Sequence, residues 1–185
     1  MFTICLDPGH GGHDSGAKRS GLAEKIVTLE VALAAARVLR GKYRVVLTRD
    51  ADRSLGLRER PAIAEQARAD LFVSIHVNSA ENPNARGYEA YVRPGASPVS
   101  SALASAILVQ FSRRWPDSRN RGLKQANFAV LRQERPACLV ECFFISNPME
   151  RALLAQAEVR AALGEAIAWG CGNFIRSHVA PEPID

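Results

Sequence analysis

The chain has 185 residues, 47% of them hydrophobic and 23% charged, and its 24 Lys and Arg against 19 Asp and Glu give a net charge of +5. This length and apolar content suffice for one domain with its own core and exclude a disordered chain. No apolar run approaches the ~18 residues of a membrane span, and residues 1–7 are too short and too polar for a secretory leader, so neither a signal peptide nor membrane insertion is expected.

Short β-rich runs alternate with Ala- and Leu-rich stretches. "FTICLD" (2–7) reads as a strand and runs into "LDPGHGGHDSG" (6–16), which packs two histidines, two aspartates and four glycines into eleven positions. Gly11 and Gly16 have the outer spacing of a phosphate-binding loop. Such a loop needs Lys directly after the second glycine and then Ser or Thr, whereas Ala17, Lys18 and Arg19 stand here. "EKIVTLEVALAAARVLR" (24–40) reads as a helix with Glu24 on the side of Val27, Val31 and Val38. A carboxylate heading an apolar stripe needs a partner, unless it is a first-turn glutamate facing water and favoured by the helix dipole. Position alone leaves both open.

"YRVVLTR" (43–49), "LFVSIHVN" (71–78) and "GYEAYV" (87–92) read as strands, and 57–70 and 101–115 as helices. "SRRWPDSRNRGLKQANF" (112–128) gathers Arg113, Arg114, Arg119, Arg121 and Lys124 around Trp115. It is either a solvated loop or the lining of a groove for an anionic or glycan polymer. No RNA-recognition or oligonucleotide-barrel pattern accompanies it, so no nucleic-acid partner is expected. "FAVLR" (128–132) and "ACLVECFF" (137–144) read as the last strands, and "AALGEAIAWGCGNFIRS" (161–177) as the last helix, with His178 beside it as a surface or packing residue. "VAPEPID" (179–185) reads as a tail or linker stub. The alternation predicts an α/β layered fold over 1–178, with a twisted, mostly parallel but mixed sheet of about six strands flanked by helices.

His10 follows the first strand, His76 ends the third, and Glu24 heads the first helix. Two imidazoles and one carboxylate suit catalytic zinc, which keeps a fourth position for water. In open α/β sheets sites form beyond the carboxyl ends of strands, where both histidines fall. Either histidine alone more often has a structural role. Glu141 interrupts an apolar strand, and a lone carboxylate there needs an open strand end or a task; a proton-transferring base is the natural one. Cys142 belongs on the opposite face by strand alternation. His13 and Asp14 are candidates to support the ligands, with a solvated turn as the more ordinary role. Cys5, Cys138, Cys142 and Cys171 lack CxxC spacing and read as reduced thiols.

The motifs "LDPGHGG", "GLAEKIVTLEVA", "LTRD", "LRERPAIAEQARADLFVSIHVNS", "ARGYEAYV", "RGLKQANFAVLR" and "PACLVECFFISNPMER" resemble, in order and over nearly the whole chain, the zinc-dependent N-acetylmuramoyl-L-alanine amidases of type 3. That family serves in bacterial autolysins and phage endolysins. The resemblance implies zinc held by His10, Glu24 and His76, Glu141 as the catalytic glutamate, and peptidoglycan as substrate. The bond implied is the amide joining the lactyl group of N-acetylmuramic acid to L-alanine, cut at the cell wall in the periplasm or outside the cell; the chain itself is expected to be a monomer. Two positions depart from the family pattern: Thr28 replaces a common Asn, and Cys142 replaces a small residue. Three other readings remain. A carboxypeptidase-like zinc hydrolase lacks its compact His-x-x-Glu pair here, a cysteine hydrolase on Cys138 or Cys142 lacks a nucleophile motif, and a silent wall-binding module would not need Glu141.

Overall fold

The computed structural model describes residues 1–178; the expected tail at 179–185 lies outside them. In chain order the elements are β1 (Thr3–Pro8), β2 (Lys18–Arg19), β3 (Leu22–Ala23), α1 (Glu24–Leu39), β4 (Arg44–Leu47), α2 (Glu59–Gln66), β5 (Leu71–Asn78), β6 (Tyr88–Val92), α3 (Pro98–Arg114), β7 (Asn120–Gln125), β8 (Ala137–Phe144), α4 (Pro148–Leu154) and α5 (Ala157–His178). Six strands form one sheet in the order β4-β1-β5-β8-β6-β7, while β2 and β3 make a separate ribbon. β1 pairs in parallel with β4 and β5, and β5 with β8. β6 runs antiparallel to β8, and β7 parallel to β6, so the sheet is mixed as expected. No helix among the described residues is long and apolar enough to cross a membrane.

The inner strands β1, β5 and β8 are covered on both faces, which is why they read as continuous apolar runs. Alternation sends Ile4, Leu6, Val73, Ile75, Cys138, Val140 and Cys142 into the main core beneath α1, α3 and α5. Cys5, Phe72 and Leu139 face a smaller cluster with Ala64, Val130 and Leu131. All four cysteines are buried and free, in agreement with their reading as reduced thiols.

Two expectations need correction. The run 128–132 is not a strand: Ala129–Leu131 form a 3-10 turn whose Val130 and Leu131 cover the smaller cluster. The sixth strand is instead β7, a polar edge strand with a left-handed Gly122 and a register shift against β6. An edge strand that buries little shows no alternation to read. Within α1, Val38 is exposed, and the buried stripe runs through Val27, Val31, Ala35 and Leu39.

α1 has no side-chain cap. Its first amides are satisfied by loop carbonyls, Glu24 N–H donating to Ala17 O at 2.9 Å and Lys25 N–H to Ser15 O at 3.2 Å. The glycine-rich loop is thereby fastened to the head of the helix, above the carboxyl ends of β1 and β5.

Candidate active site

Beyond β1 the chain turns at Gly9, whose N–H donates to Ile75 O on β5 at 2.9 Å. A Cβ at Gly9 would stand 2.4 Å from the His76 ring, so only glycine admits this approach. His10 follows in a left-handed conformation, φ 61°, uncommon for a residue with a Cβ. Two buried arginines hold it there. Arg49 donates to Pro8 O, Gly9 O and Lys25 O, and Arg60 to Pro8 O and His10 O, at 2.7–3.0 Å. Asp7, wholly buried, accepts from Arg60 at 2.8 Å, Thr48 at 2.6 Å and Ser74 at 2.7 Å. Thr28 fits the same lattice: its hydroxyl donates to Gly9 O at 2.8 Å and accepts from Arg49 at 3.0 Å.

His10, Glu24 and His76 converge, with one donor atom from each within 4.8 Å of the others. Glu24 Oε1 lies 3.2 Å from His10 Nε2 and 3.0 Å from His76 Nδ1. Glu24 is 4% exposed, so it does not face water. Its two oxygens are fixed by backbone amides, Oε1 by Val77 N–H at 2.9 Å and Oε2 by Ala17 N–H at 3.0 Å. Asp14 does more than fill a turn: Oδ2 lies 2.9 Å from His10 Nδ1, and Oδ1 accepts from Gly16 N–H at 3.0 Å. The remaining nitrogen of His10 is thereby turned toward Glu24. His13 stands apart from the convergence, 2.7 Å from the Ser54 hydroxyl.

Burial disfavours a charged His10, but the hydrogen bond and charge of Glu24, reinforced by Asp14, outweigh it and raise the pKa to about 9. His76 moves in the same direction against its own burial, through Glu24 and Glu141. Burial would raise the Glu24 carboxyl, yet the two imidazoles hold it well below the usual carboxylate range. Two imidazole nitrogens and one carboxylate oxygen aimed at one point match the ligand set of catalytic zinc.

Glu141 stands one strand away, its Cα partnered by His76 on β5 and by Glu89 on β6. Its Oε2 is buried and has no hydrogen-bond partner. Burial pushes its pKa up to about 7, with His76 opposing and Glu24 and Glu89 assisting. With His10, Glu24, His76, Asn78 and Phe128 it lines a cleft of about 330 Å³. A second hollow of about 440 Å³, lined by His13, Ser54 and Glu59 and again by His10 and His76, continues it. All four residues singled out in the sequence are therefore brought together. Cys142 is buried on the far face with Cys138 and Val140, away from the cleft.

Sequence reasoning missed Gly9, Asp7, Arg49 and Arg60. The available signal was charge inside apolar patterns: Asp7 in β1, Arg49 just after β4 and Arg60 on α2 are complementary, but only the fold shows that they meet.

The sequence profile described as N-acetylmuramoyl-L-alanine amidase matches residues 4–173. Among curated relatives, the sporulation-specific N-acetylmuramoyl-L-alanine amidase of Bacillus subtilis is 40% identical over 151 residues, covering 80% of this chain and 58% of that protein. The N-acetylmuramoyl-L-alanine amidase CwlM of Bacillus licheniformis is 39% identical over the same shares of each chain. The chain thus spans somewhat over half the length of these relatives. Among solved structures, the N-acetylmuramoyl-L-alanine amidase AmiC2 of Nostoc punctiforme superimposes with a TM-score of 0.89 at 37% identity, covering 95% of this chain and 97% of that one. Matched in sequence from the first strand to the last helix, and in fold over nearly its whole length, the chain belongs to the N-acetylmuramoyl-L-alanine amidase family.

Proposed function

We propose that residues 1–178 form a zinc-dependent catalytic domain that cleaves the amide between N-acetylmuramic acid and L-alanine in peptidoglycan, at the cell wall. The observation that carries this reading is Glu141: a buried carboxylate with an unpartnered oxygen, in the same cleft as three converging metal-type donors. A structural glutamate would have its oxygens satisfied, and a silent binding module has no use for one that is not.

His10, Glu24 and His76 would hold the metal, and Asp14 would keep His10 in the required orientation. Zinc in such a site supplies a Lewis acid that polarises an amide carbonyl and makes water a stronger nucleophile near neutral pH. Glu141 takes the proton from the attacking water, and its burial, which raises its proton affinity above that of a free carboxylate, suits that exchange. It then gives the proton to the departing nitrogen of L-alanine. The products are the lactyl carboxylic acid on the glycan and a free peptide amine, so the one added water is accounted for.

The test is digestion of purified peptidoglycan followed by mass spectrometry, with and without chelation. New L-alanine amino termini on intact glycan are expected, lost after chelation and restored by zinc. New reducing sugar ends would mean a glycosidase, cuts within the stem peptide would mean a peptidase, and full activity in demonstrably metal-free protein would overturn the metal.

A further inference from the structure

The basic segment singled out at 112–128 is divided by the fold. Arg113 and Arg114 end α3, and Trp115 turns inward onto Phe111 and Phe143. Arg121 and Lys124 lie instead on β7, on the sheet face that carries Glu141. Register requires this for Lys124, since Glu89 stands opposite Glu141, Tyr91 opposite Leu139, and Lys124 beside Tyr91; Arg121, within the register shift, reaches Glu89 by its side chain. Directly paired residues share a face, and both Leu139 and Glu141 line the cleft.

Glu89, only 2% exposed, organises this region. Its Oε1 accepts from Asn78 and from the Tyr91 hydroxyl, each at 2.7 Å. Its Oε2 accepts from Arg121 Nε at 2.6 Å and from Lys124 Nζ. Asn78 also lines the cleft, and Phe128 at the cleft edge packs edge-on against Tyr91 at 5.2 Å. One connected row therefore runs from Glu141 through Glu89 to Lys124.

At its β7 end that row carries two cations beside Glu89, whose oxygens are already occupied by four donors, while Glu141 stands at its other end. Arg121 has N–H groups beyond those given to Glu89 and, at 3.5 Å, to Arg86 O, and Lys124 has two more. Their side chains remain 24% and 36% exposed. Arg121 is steadied over the Phe144 ring at 4.9 Å and Lys124 over Tyr91 at 5.8 Å. Cations fixed by a buried carboxylate, with donors left at the surface, suit an incoming carboxylate. Two strand spacings, about 10 Å, separate the Cα rows of Glu141 and Lys124. A peptide advances about 3.5 Å per residue, and the two side chains reach back toward Glu141.

We infer that Arg121 and Lys124 form a specificity subsite for the α-carboxylate of the D-isoglutamyl residue that follows L-alanine, so that the stem peptide runs from Glu141 toward β7. This rests on the amidase reading above and adds the direction of the substrate and the charge it must carry.

The test uses two synthetic muramyl peptides that differ only in having D-isoglutamate or D-isoglutamine after L-alanine. The parent enzyme is expected to favour the acid by roughly 10-fold in kcat/KM, the factor of a single tenfold step in affinity. Lys124→Gln and Arg121→Gln should each bring that ratio toward one, mainly through KM for the acid, and Lys124→Arg should retain it. Lys124 sits on an edge strand and is one-third exposed, so Lys124→Gln is the variant least dependent on refolding. Equal losses on both substrates would mean that the pair only supports Glu89 and would overturn the subsite. So would a parent that cuts both peptides equally well. A parent that cuts neither would overturn the amidase reading, and this inference with it.

Discussion

On β8, alternate side chains leave opposite faces, which gives Glu141 and Cys142 separable predictions. Glu141→Gln preserves shape but cannot take a proton at neutral pH. It should keep its metal and its fold while turnover falls by at least ~100-fold, the lower end for a missing general base. Cys142→Ala should keep most activity and lose about 1 kcal/mol of stability, read from urea unfolding. A second residue-scale consequence concerns protons. In the metal-free protein His10 titrates at about 9 and therefore carries a proton at pH 7, whereas a metal ligand must be neutral. Zinc loading at pH 7 should release at least about one proton per chain, measurable by calorimetry in buffers of different protonation heat; no release would contradict the His10–Glu24 pairing. The sign follows from both partners. The raised imidazoles stabilise the metal-free fold below their ordinary pKa of 6.5, an effect lost as pH rises through their raised values, which for His10 is about 9. The lowered Glu24 contributes above its ordinary 4.5, an effect lost as pH falls further. Metal-free protein thus gains most from this cluster between those two values, and metal binding should strengthen as pH rises. His10, Glu24, His76 and Glu141 could be singled out as candidates because the two histidines fall near strand ends, Glu24 heads a helix and Glu141 interrupts an apolar strand. Asp14 could be named only as a candidate with an ordinary turn as the alternative, since an aspartate in a polar turn looks the same whether or not an imidazole lies beside it.

At the scale of elements, β1, the loop after it and α2 are tied by buried charge in addition to the apolar packing of Cys5 with Ala64. Arg60 and Asp7 are 4% and 0% exposed in their side chains. Arg60→Met would leave Asp7 buried without its cation and release the carbonyls that hold His10 in its left-handed conformation. A loss of roughly 3–5 kcal/mol is expected, the cost of breaking a buried pair from one side. Urea denaturation measures it, and a loss below 1 kcal/mol would show that the loop is held by other contacts. Legibility divides along the same line. α1, β5 and β8 declare themselves through long apolar patterns that only burial explains. β7 does not, because an edge strand of Asn120–Gln125 pairs through its backbone while its side chains stay polar. The apolar residues at 128–132 were misread for the converse reason: a 3-10 turn covering a small core needs the same side chains as a short strand.

For the whole molecule, alternating strands and helices were enough to indicate a layered α/β fold, because parallel strands require crossovers and those crossovers are the helices. The antiparallel placement of β6 was beyond reach, since its direction depends on long-range pairing rather than on local pattern. The burial of every cysteine has a further use. Cys5 lies on β1, Cys138 and Cys142 on β8, and Cys171 on α5, so the thiols sample both faces of the sheet and one covering helix. A thiol reagent reaches them only when that part of the chain opens. Native protein should therefore react with an aromatic disulfide only slowly, and protein in strong urea at all 4 thiols; rapid labelling without denaturant would mean that a layer opens under native conditions. The individual labelling rates would rank the local opening of strand and helix without any introduced probe.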